Sequence, residues 1–449
     1  MNFTQQDISE IKKFYKQCGL KALSQQEYDD AIKYFNLWQY TYANYLKIDR
    51  YEYDLEILNT IENKLLDFKL NLDKIDIKSN EKIRIVYICH GILDSSSIIP
   101  KILLSIIKNH DISRFEIYVF TIESRFEINK TTGKIFLKQF DEVDCKMHYA
   151  SFFRFGFSRL HSIATKIHNL NPHILITMAA LAGFDNFFIS AFKPAPIRIG
   201  FVLGSPAQFI PPSFDFGITW VDRLASNCPV PCLNSGIPYF PQERSFINLI
   251  RTDYNLPSDA IIISSAGRYT KFQDATLLNL IVDSMHVLPN LYYIVIGLSQ
   301  EQLTNLYLVP EKFRCRIYIF DWSQDYEKYL TLSDIYLDTY PSGGGITLYD
   351  AALLKLPIIS FTDSNSEQVD QSDWNPASEL FLQNSLILVD RNNISDLKLN
   401  IEKLYYDKQF REEMGGKAYT SVIRIRNSIK DNIKNIESLY IKLVNERYK

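Results

Sequence analysis

The chain reads as three successive textures of apolar and polar positions. From about Gln5 to Ile75, apolar and aromatic residues recur three and four positions apart, as in QEYDDAIKYFNLWQYTYANYLKI and YEYDLEILNTIENKLLDF, a spacing that predicts amphipathic helices. The first has some likeness to a tetratricopeptide helix. One loose match does not make a repeat, because such arrays need several stacked units. A small helical region over residues 1–78 is the plainer reading.

At Glu81 the texture changes to short, nearly uninterrupted apolar runs: KIRIVYICH, RFEIYVFTI, HILITM, IRIGFVL and FGITWVD. Runs of this kind suit strands buried on both faces. IIPKILLSIIKNH, between the first two, has helical length, and strand–helix–strand order is what a parallel sheet requires. A second series starts at Ala260 with AIIISSAG, the helix ATLLNLIVDSMHVL, and the strands NLYYIVIGL, RCRIYIFDW, SDIYLDT and LPIISF. The run SIKDNIKNIESLYIKLVNERYK predicts a closing helix. The expected architecture is α/β: a helical region (1–78), a first Rossmann-like doubly wound domain (79–248), and a second with the closing helix (249–449). Two such domains are expected to face a cleft, where ligands commonly bind.

Composition narrows the function classes. With 46% hydrophobic and 14% aromatic residues the chain can bury sizeable cores, which argues against disorder. A net charge of -3, from 49 basic and 52 acidic residues, is no nucleic-acid footprint. No stretch approaches ~20 apolar residues, so no transmembrane segment is expected. The N-terminus MNFTQQDISEIKKFYKQ has no apolar signal segment. Of six cysteines only Cys228 and Cys232 lie close, as CPVPC, with no nearby histidine to complete a zinc site. A chain this large does not need a disulfide scaffold, so a reducing, cytoplasmic setting is expected; peripheral contact with the inner membrane face stays open.

The candidate chemistry centres on DIYLDTYPSGGGITLYDAALLKLPIISF, Asp334 to Phe361. Gly343, Gly344 and Gly345 fall between a predicted strand end and a predicted helix start. Free N–H groups there favour an anion, and glycines let a phosphate approach the backbone. The spacing is neither a Walker A loop nor GxGxxG. Thr347 either donates a hydroxyl to a phosphate or caps the helix. Asp350, one turn on, either accepts from ribose hydroxyls or serves as an acid near a helix N-terminus. In SSAGRYTKFQD, Arg268 and Lys271 follow the first strand of the same domain and reach the same sheet edge. A cation there stabilises the charge that develops on a departing diphosphate. A metal does this elsewhere, but no Asp-x-Asp pair occurs in the chain.

These residues resemble the donor-binding segment of family-41 glycosyltransferases, which include O-linked N-acetylglucosamine transferases and bacterial protein N-glucosyltransferases. Three more blocks agree in order: RIVYICHGILDSSSIIPKILLSIIKNHDISRFEIYVFTI, PAPIRIGFVLGSPAQFIPPSFDFGITWVD and SSAGRYTKFQDATLLNLIVDSMHVLPNLYYIVIG. The resemblance spans about residues 80–380. It implies the GT-B fold, a UDP-linked sugar donor, inversion at the anomeric carbon, and no metal or other cofactor. It places the diphosphate lysine at Lys271, the phosphate loop at Gly344, Gly345 and Thr347, and the ribose aspartate at Asp350. Gly204 and Gln208, in GSPAQ, match the glycine-rich loop of the first domain; a tight turn set by Gly and Pro is the alternative. Trp322 is placed near the nucleobase, with plain packing as the alternative.

The chain departs from the family in two places. The residue before the phosphate-loop threonine is Ile346 rather than histidine. The histidine expected after the first strand falls close to Ser95, within GILDSSS. His90 and Asp94 are then the candidate acceptor-side groups, a carboxylate being able to orient or deprotonate a hydroxyl. The expected partners are a nucleotide-sugar donor, a protein or glycan acceptor, and a partner glycosyltransferase docked through the helical region. A non-catalytic partner subunit and a nucleotide-sugar epimerase of the same fold are the alternatives. The aromatic runs FFRFGFSR and DNFFISAF are expected in core or helix–sheet packing.

Overall fold

The computed structural model describes residues 5–45, 54–68, 70, 81–95, 97–178, 183–202, 210–220, 225–226, 228–240, 247–272, 274–323, 325–340, 343–362 and 381–448. The chain forms two compact units, Met1–Tyr239 with Ser428–Lys449, and Phe240–Asn427.

The first unit is built on a seven-stranded parallel sheet: β1 Ile83–Ile88, β2 Phe115–Phe120, β3 Lys146–His148, β4 Ile174–Met178, β5 Ile197–Phe201, β6 Phe216–Thr219 and β7 Cys232–Asn234. Their order is β3-β2-β1-β4-β5-β6-β7. The chain winds outward from β1 to β3, then returns beside β1 and winds the other way. Every residue of β4 and β5 is buried, which explains their unbroken apolar runs. The short edge strands β3 and β7 carry no such run and do not stand out in the sequence.

The second unit repeats the plan with six parallel strands: β8 Ile261–Ala266, β9 Leu291–Ile296, β10 Ile317–Phe320, β11 Ile335–Leu337, β12 Ile358–Thr362 and β13 Ile387–Asp390. The order is β10-β9-β8-β11-β12-β13. In both units the winding direction reverses beside the first strand, between β1 and β4 and between β8 and β11. In open parallel sheets the carboxyl side of that reversal is where ligands bind.

The helical region does not stand apart from the first sheet. Of its helices Gln5–Ser24, Tyr28–Tyr45 and Leu55–Leu65, the second packs on the helices Gly156–Asn169 and Phe184–Ala191, the third on the latter, and the first on the other two. Asp54 caps the third by accepting from Ile57 N at 3.2 Å, and Ile57, Leu58, Ile61 and Leu65 form its buried stripe. Asn36 holds the neighbouring helix at both ends of its side chain, donating to Asp185 at 2.8 Å and accepting from Phe184 N at 2.9 Å. Glu62 meets the buried Arg198 of β5 at 3.0 Å.

The terminal helix, Lys408–Tyr448, is one element of 41 residues. From Ser428 onward it belongs to the first unit. Ile433, Ile436, Tyr440 and Val444 join the core under β1 and β2. A buried polar chain pins it there: Glu437 Oε1 lies 3.0 Å from His110 Nδ1, and His110 Nε2 lies 2.7 Å from the Tyr87 hydroxyl. The sequence-based bounds place the closing helix from Ser428 with the second domain, which it follows in the chain, whereas its packing partners lie in the first.

The two aromatic runs part company. Phe187, Phe188 and Phe192 of DNFFISAF are buried, as expected, as is Phe184 just before it. Phe152, Phe153 and Phe155 of FFRFGFSR are exposed, Phe153 to 87%. The expectation of core packing fails for them because they occupy the turn before the Gly156–Asn169 helix, where there is no inward face. Among the described residues, no helix is long and apolar enough to cross a membrane.

Candidate functional site

Two loops leave the carboxyl ends of β8 and β11, which pair directly, Ile335 beside Ile263. The β8 loop runs through Gly267 and Arg268 into the short turn Tyr269–Lys271. Asp274 then caps the helix Ala275–Val287, accepting from Thr276 N at 2.7 Å. The β11 loop runs from Asp338 to Gly345 and feeds the helix Ile346–Leu353. Sheet order thus brings Lys271 and the glycine loop together from positions over seventy residues apart. The Lys271 ammonium donates to the Gly343 carbonyl.

Asp338 organises the loop, and it is not among the residues expected from the sequence. It is fully buried. Its Oδ1 accepts from Gly344 N at 2.6 Å and Thr339 N at 2.8 Å, while Oδ2 accepts from the Ser360 hydroxyl at 2.6 Å. Burial raises its pKa, against the opposing pull of Ser360, Lys271 and the two N–H groups. Burial likewise lowers the pKa of Lys271; Asp338 works against that shift and Arg268 adds to it. Asp338 therefore favours the charged form of the lysine.

Close approach requires a glycine at 344. A Cβ there would collide with Thr347 Oγ1 and lie 3.1 Å from Asp338 Oδ1. A Cβ at Gly345 would meet nothing within 4 Å, so that side of the loop is open. Thr347 Oγ1 is buried and has no hydrogen-bond partner. It lies near enough to Tyr336 to influence that phenol, but not in a geometry that satisfies it. A buried hydroxyl without a partner costs free energy unless a ligand or water completes it.

Asp350 Oδ2 accepts from the Tyr326 hydroxyl, so its carboxylate is already oriented. Burial, reinforced by Asp350, keeps that phenol well above its ordinary pKa and hence a donor. The sequence places Tyr326, with Trp322, on the ligand side of the second domain, but gives no sign of its contact with Asp350. Trp322 follows the edge strand β10 and is 48% exposed. It is separated from β11 by β9 and β8 in the sheet order. Arg268 is exposed beside the Lys271 turn.

In the first unit, His90 follows β1 at the corresponding sheet edge. Its Nδ1 lies 2.9 Å from Asn186 Nδ2. Burial pulls its pKa down to about 4, against the opposing effect of the Met178 carbonyl. The ring is therefore neutral at pH 7 and able to take up a proton. Asp94 is exposed in the turn that follows, its carbonyl accepting from Ser97 N at 2.9 Å. Ser95 is buried, and its N–H donates to Thr132 Oγ1 at 3.1 Å. Gly204 and Gln208 lie outside the described residues. Among the described residues, no cluster of three or more His, Cys, Asp or Glu side chains is arranged to hold a metal ion.

This architecture has solved counterparts. An O-GlcNAc transferase variant from Thermobaculum terrenum matches with a TM-score of 0.61, over 97% of this chain and 85% of its own, at 12% identity. The fold is of the GT-B type. A glycosyltransferase from Rickettsia africae matches this GT-B chain with a TM-score of 0.55, over 81% of it and 99% of its own, at 14% identity. Anabaena HepE, solved with UDP and glucose, matches at 0.55, over 79% of this chain and all of its own, at 12% identity. At these identities the likeness is one of fold. No family profile and no curated protein sequence matches the chain.

Proposed function

We propose that the chain is an inverting, metal-independent glycosyltransferase of the family-41 kind, moving a sugar from a UDP-linked donor to a protein or glycan acceptor. One observation carries the reading: at the reversal point of the second sheet, a glycine loop, a buried cation and an unpartnered buried hydroxyl converge. That set suits a diphosphate. In this reading Gly343, Gly344 and Gly345 bring backbone to the phosphates, with Thr347 Oγ1 donating to one of them. Lys271 gains in interaction as the leaving UDP gathers charge. Asp350, oriented by Tyr326, accepts from ribose hydroxyls. The UDP and glucose held by the Anabaena protein are consistent with such a donor.

The acceptor atom attacks the sugar C1 as the bond from C1 to the diphosphate oxygen breaks, and its proton passes to a base. His90 is the proposed base, from its place after β1 and its neutral ring at pH 7; Asp94 is the candidate that orients the acceptor. A second reading, a non-catalytic partner subunit, draws support from Ser95. It stands where the family carries its histidine, and it is buried.

The test is calorimetric titration with UDP, followed by UDP release from a panel of nucleotide sugars, with and without cell extract as acceptor source. The enzyme reading expects UDP binding and turnover, with Lys271→Ala reducing both at least tenfold. Binding without turnover on any donor supports the partner subunit. Absence of both overturns the site.

A further inference from the structure

We propose that the exposed phenylalanine cluster of the first unit is a docking surface for an anionic membrane face. Phe126, on the short helix Arg125–Asn129, meets Phe152 with ring centroids 4.7 Å apart, and Phe152 meets Phe153 at 5.6 Å. Phe155 completes the cluster at 64% exposure. A Ser151–Arg154 turn, closed by an N–H to carbonyl bond of 3.3 Å, holds these rings outward.

Cations are interleaved with the rings. Lys130 Nζ sits 4.0 Å from the Phe126 centroid, Arg125 lies 5.7 Å from the Tyr149 ring, and Arg154 is exposed between Phe153 and Phe155. The nearest carboxylate on these elements, Glu127, is held by Arg159 at 3.2 Å and by Ser124 N at 2.6 Å. Around the rings stand Arg125, Lys130, Arg154 and Arg159, against Glu123, Glu127 and Asp29, whose Oδ1 accepts from Phe157 N at 2.6 Å.

Exposed aromatic rings ringed by Lys and Arg suit the boundary between acyl chains and anionic headgroups. The rings enter the boundary and the cations stay with the phosphates. Clustered Phe alone would suit a protein partner equally well. The interleaved cations Arg125, Lys130 and Arg154 favour the lipid surface. The loops in question follow β2 and β3, at the same sheet edge as His90 after β1. A membrane held against the patch therefore lies on the edge that carries the proposed acceptor-side residues.

The assay is co-sedimentation of the full chain with vesicles of phosphatidylcholine alone and with 30% phosphatidylglycerol. (The lipid fraction, of order one in three, is set to give a surface charge of cellular magnitude.) Binding is expected to the anionic vesicles and to fall with added salt. Phe153→Ser should lower partitioning about tenfold, as should Phe155→Ser. Arg154→Glu and Lys130→Glu should each lower it about fivefold or more. Phe153 and Arg154 are exposed, so the melting temperature should not move. Equal binding to neutral vesicles, no binding to either, or binding indifferent to these substitutions overturns the proposal. So does self-association that Phe153→Ser abolishes, which would assign the cluster to a second copy of the chain. The readout does not involve UDP, so its failure and that of the donor site are distinguishable.

Discussion

Replacing Asp338 with asparagine separates two jobs that the buried carboxylate performs. Asparagine conserves the shape. Its carbonyl oxygen can still accept from Gly344 N and Thr339 N, and its amide can donate to the Ser360 hydroxyl, which has lone pairs to accept. At most one hydrogen bond is weakened, a loss of about 1 kcal/mol. Against that stands the burial of the charge. The folded-state pKa of Asp338 is raised, so its favourable contribution is complete below the unfolded value of 3.8 and is lost as pH rises through the folded value. At pH 7 the ionised form is a net cost, and asparagine removes it. Asp338→Asn should therefore leave the melting temperature within about 4 °C of wild type at pH 7, or raise it. Ligand binding should respond in the opposite sense at the two ends of the pH range. While Lys271 stays protonated, losing a neighbouring negative charge should tighten UDP. As pH rises, the variant's Lys271 loses its proton first, because burial and Arg268 both depress it and Asp338 no longer resists. A charge-assisted hydrogen bond of about 1.5–3 kcal/mol goes with it, a ten- to hundredfold loss. UDP affinity measured by calorimetry from pH 6 to about 9 should give curves for variant and wild type that cross. Parallel curves would refute the coupling of Asp338 to Lys271. A loss of about 3 kcal/mol or more in stability would refute the burial argument.

Two further outcomes follow from unsatisfied or strained chemistry. Thr347→Val removes a buried hydroxyl that has no partner in the unliganded protein, so thermal stability should hold or rise by up to about 1 kcal/mol while UDP affinity drops about tenfold; equal UDP affinity would remove Thr347 from the site. Two histidines should govern acid stability. Burial brings both His90 and His173 down from 6.5 to about 4, and His173 Nδ1 accepts from Arg84 N at 2.8 Å, which only the unprotonated nitrogen can do. Their contribution is full above pH 6.5 and is lost as pH falls toward about 4, up to about 3 kcal/mol each. Chemical denaturation across that window should show the loss, and His173→Asn should flatten it; an unchanged slope would show that the ring is protonated without cost.

How much could be read from the chain alone depends on how local each determinant is. Strands β1, β2, β4 and β5 announce themselves because a strand covered on both faces must be apolar throughout, and that is a property of consecutive residues. Strands β3, β7 and β13 do not, because a three- or four-residue edge strand is defined by its neighbour. The same division runs through the site. Glycines between a strand and a helix are visible as a phosphate-loop candidate, and Lys271 is visible as a cation after the preceding strand. Asp338 stood within the quoted stretch, yet nothing in DTYPSGGG says that its carboxylate turns back to take the Gly344 N–H and to face Lys271. Phe152, Phe153 and Phe155 of FFRFGFSR show the converse, since they are expected in a core that their turn never reaches, whereas Phe157 of the same run stacks on Tyr28. Asp338 also accounts for a tension in the loop itself. A buried acid beside the proposed anion seat would repel the ligand, so its place there makes sense only if it does something the seat needs. It takes up one loop N–H and shapes the backbone around Gly344. It leaves Gly345 open and Thr347 without a partner, and it works against the lowering of the Lys271 pKa by burial. In the proposed donor site, repulsion at one carboxylate is thus exchanged for support of the charge on Lys271, the group whose interaction would grow as a diphosphate departs.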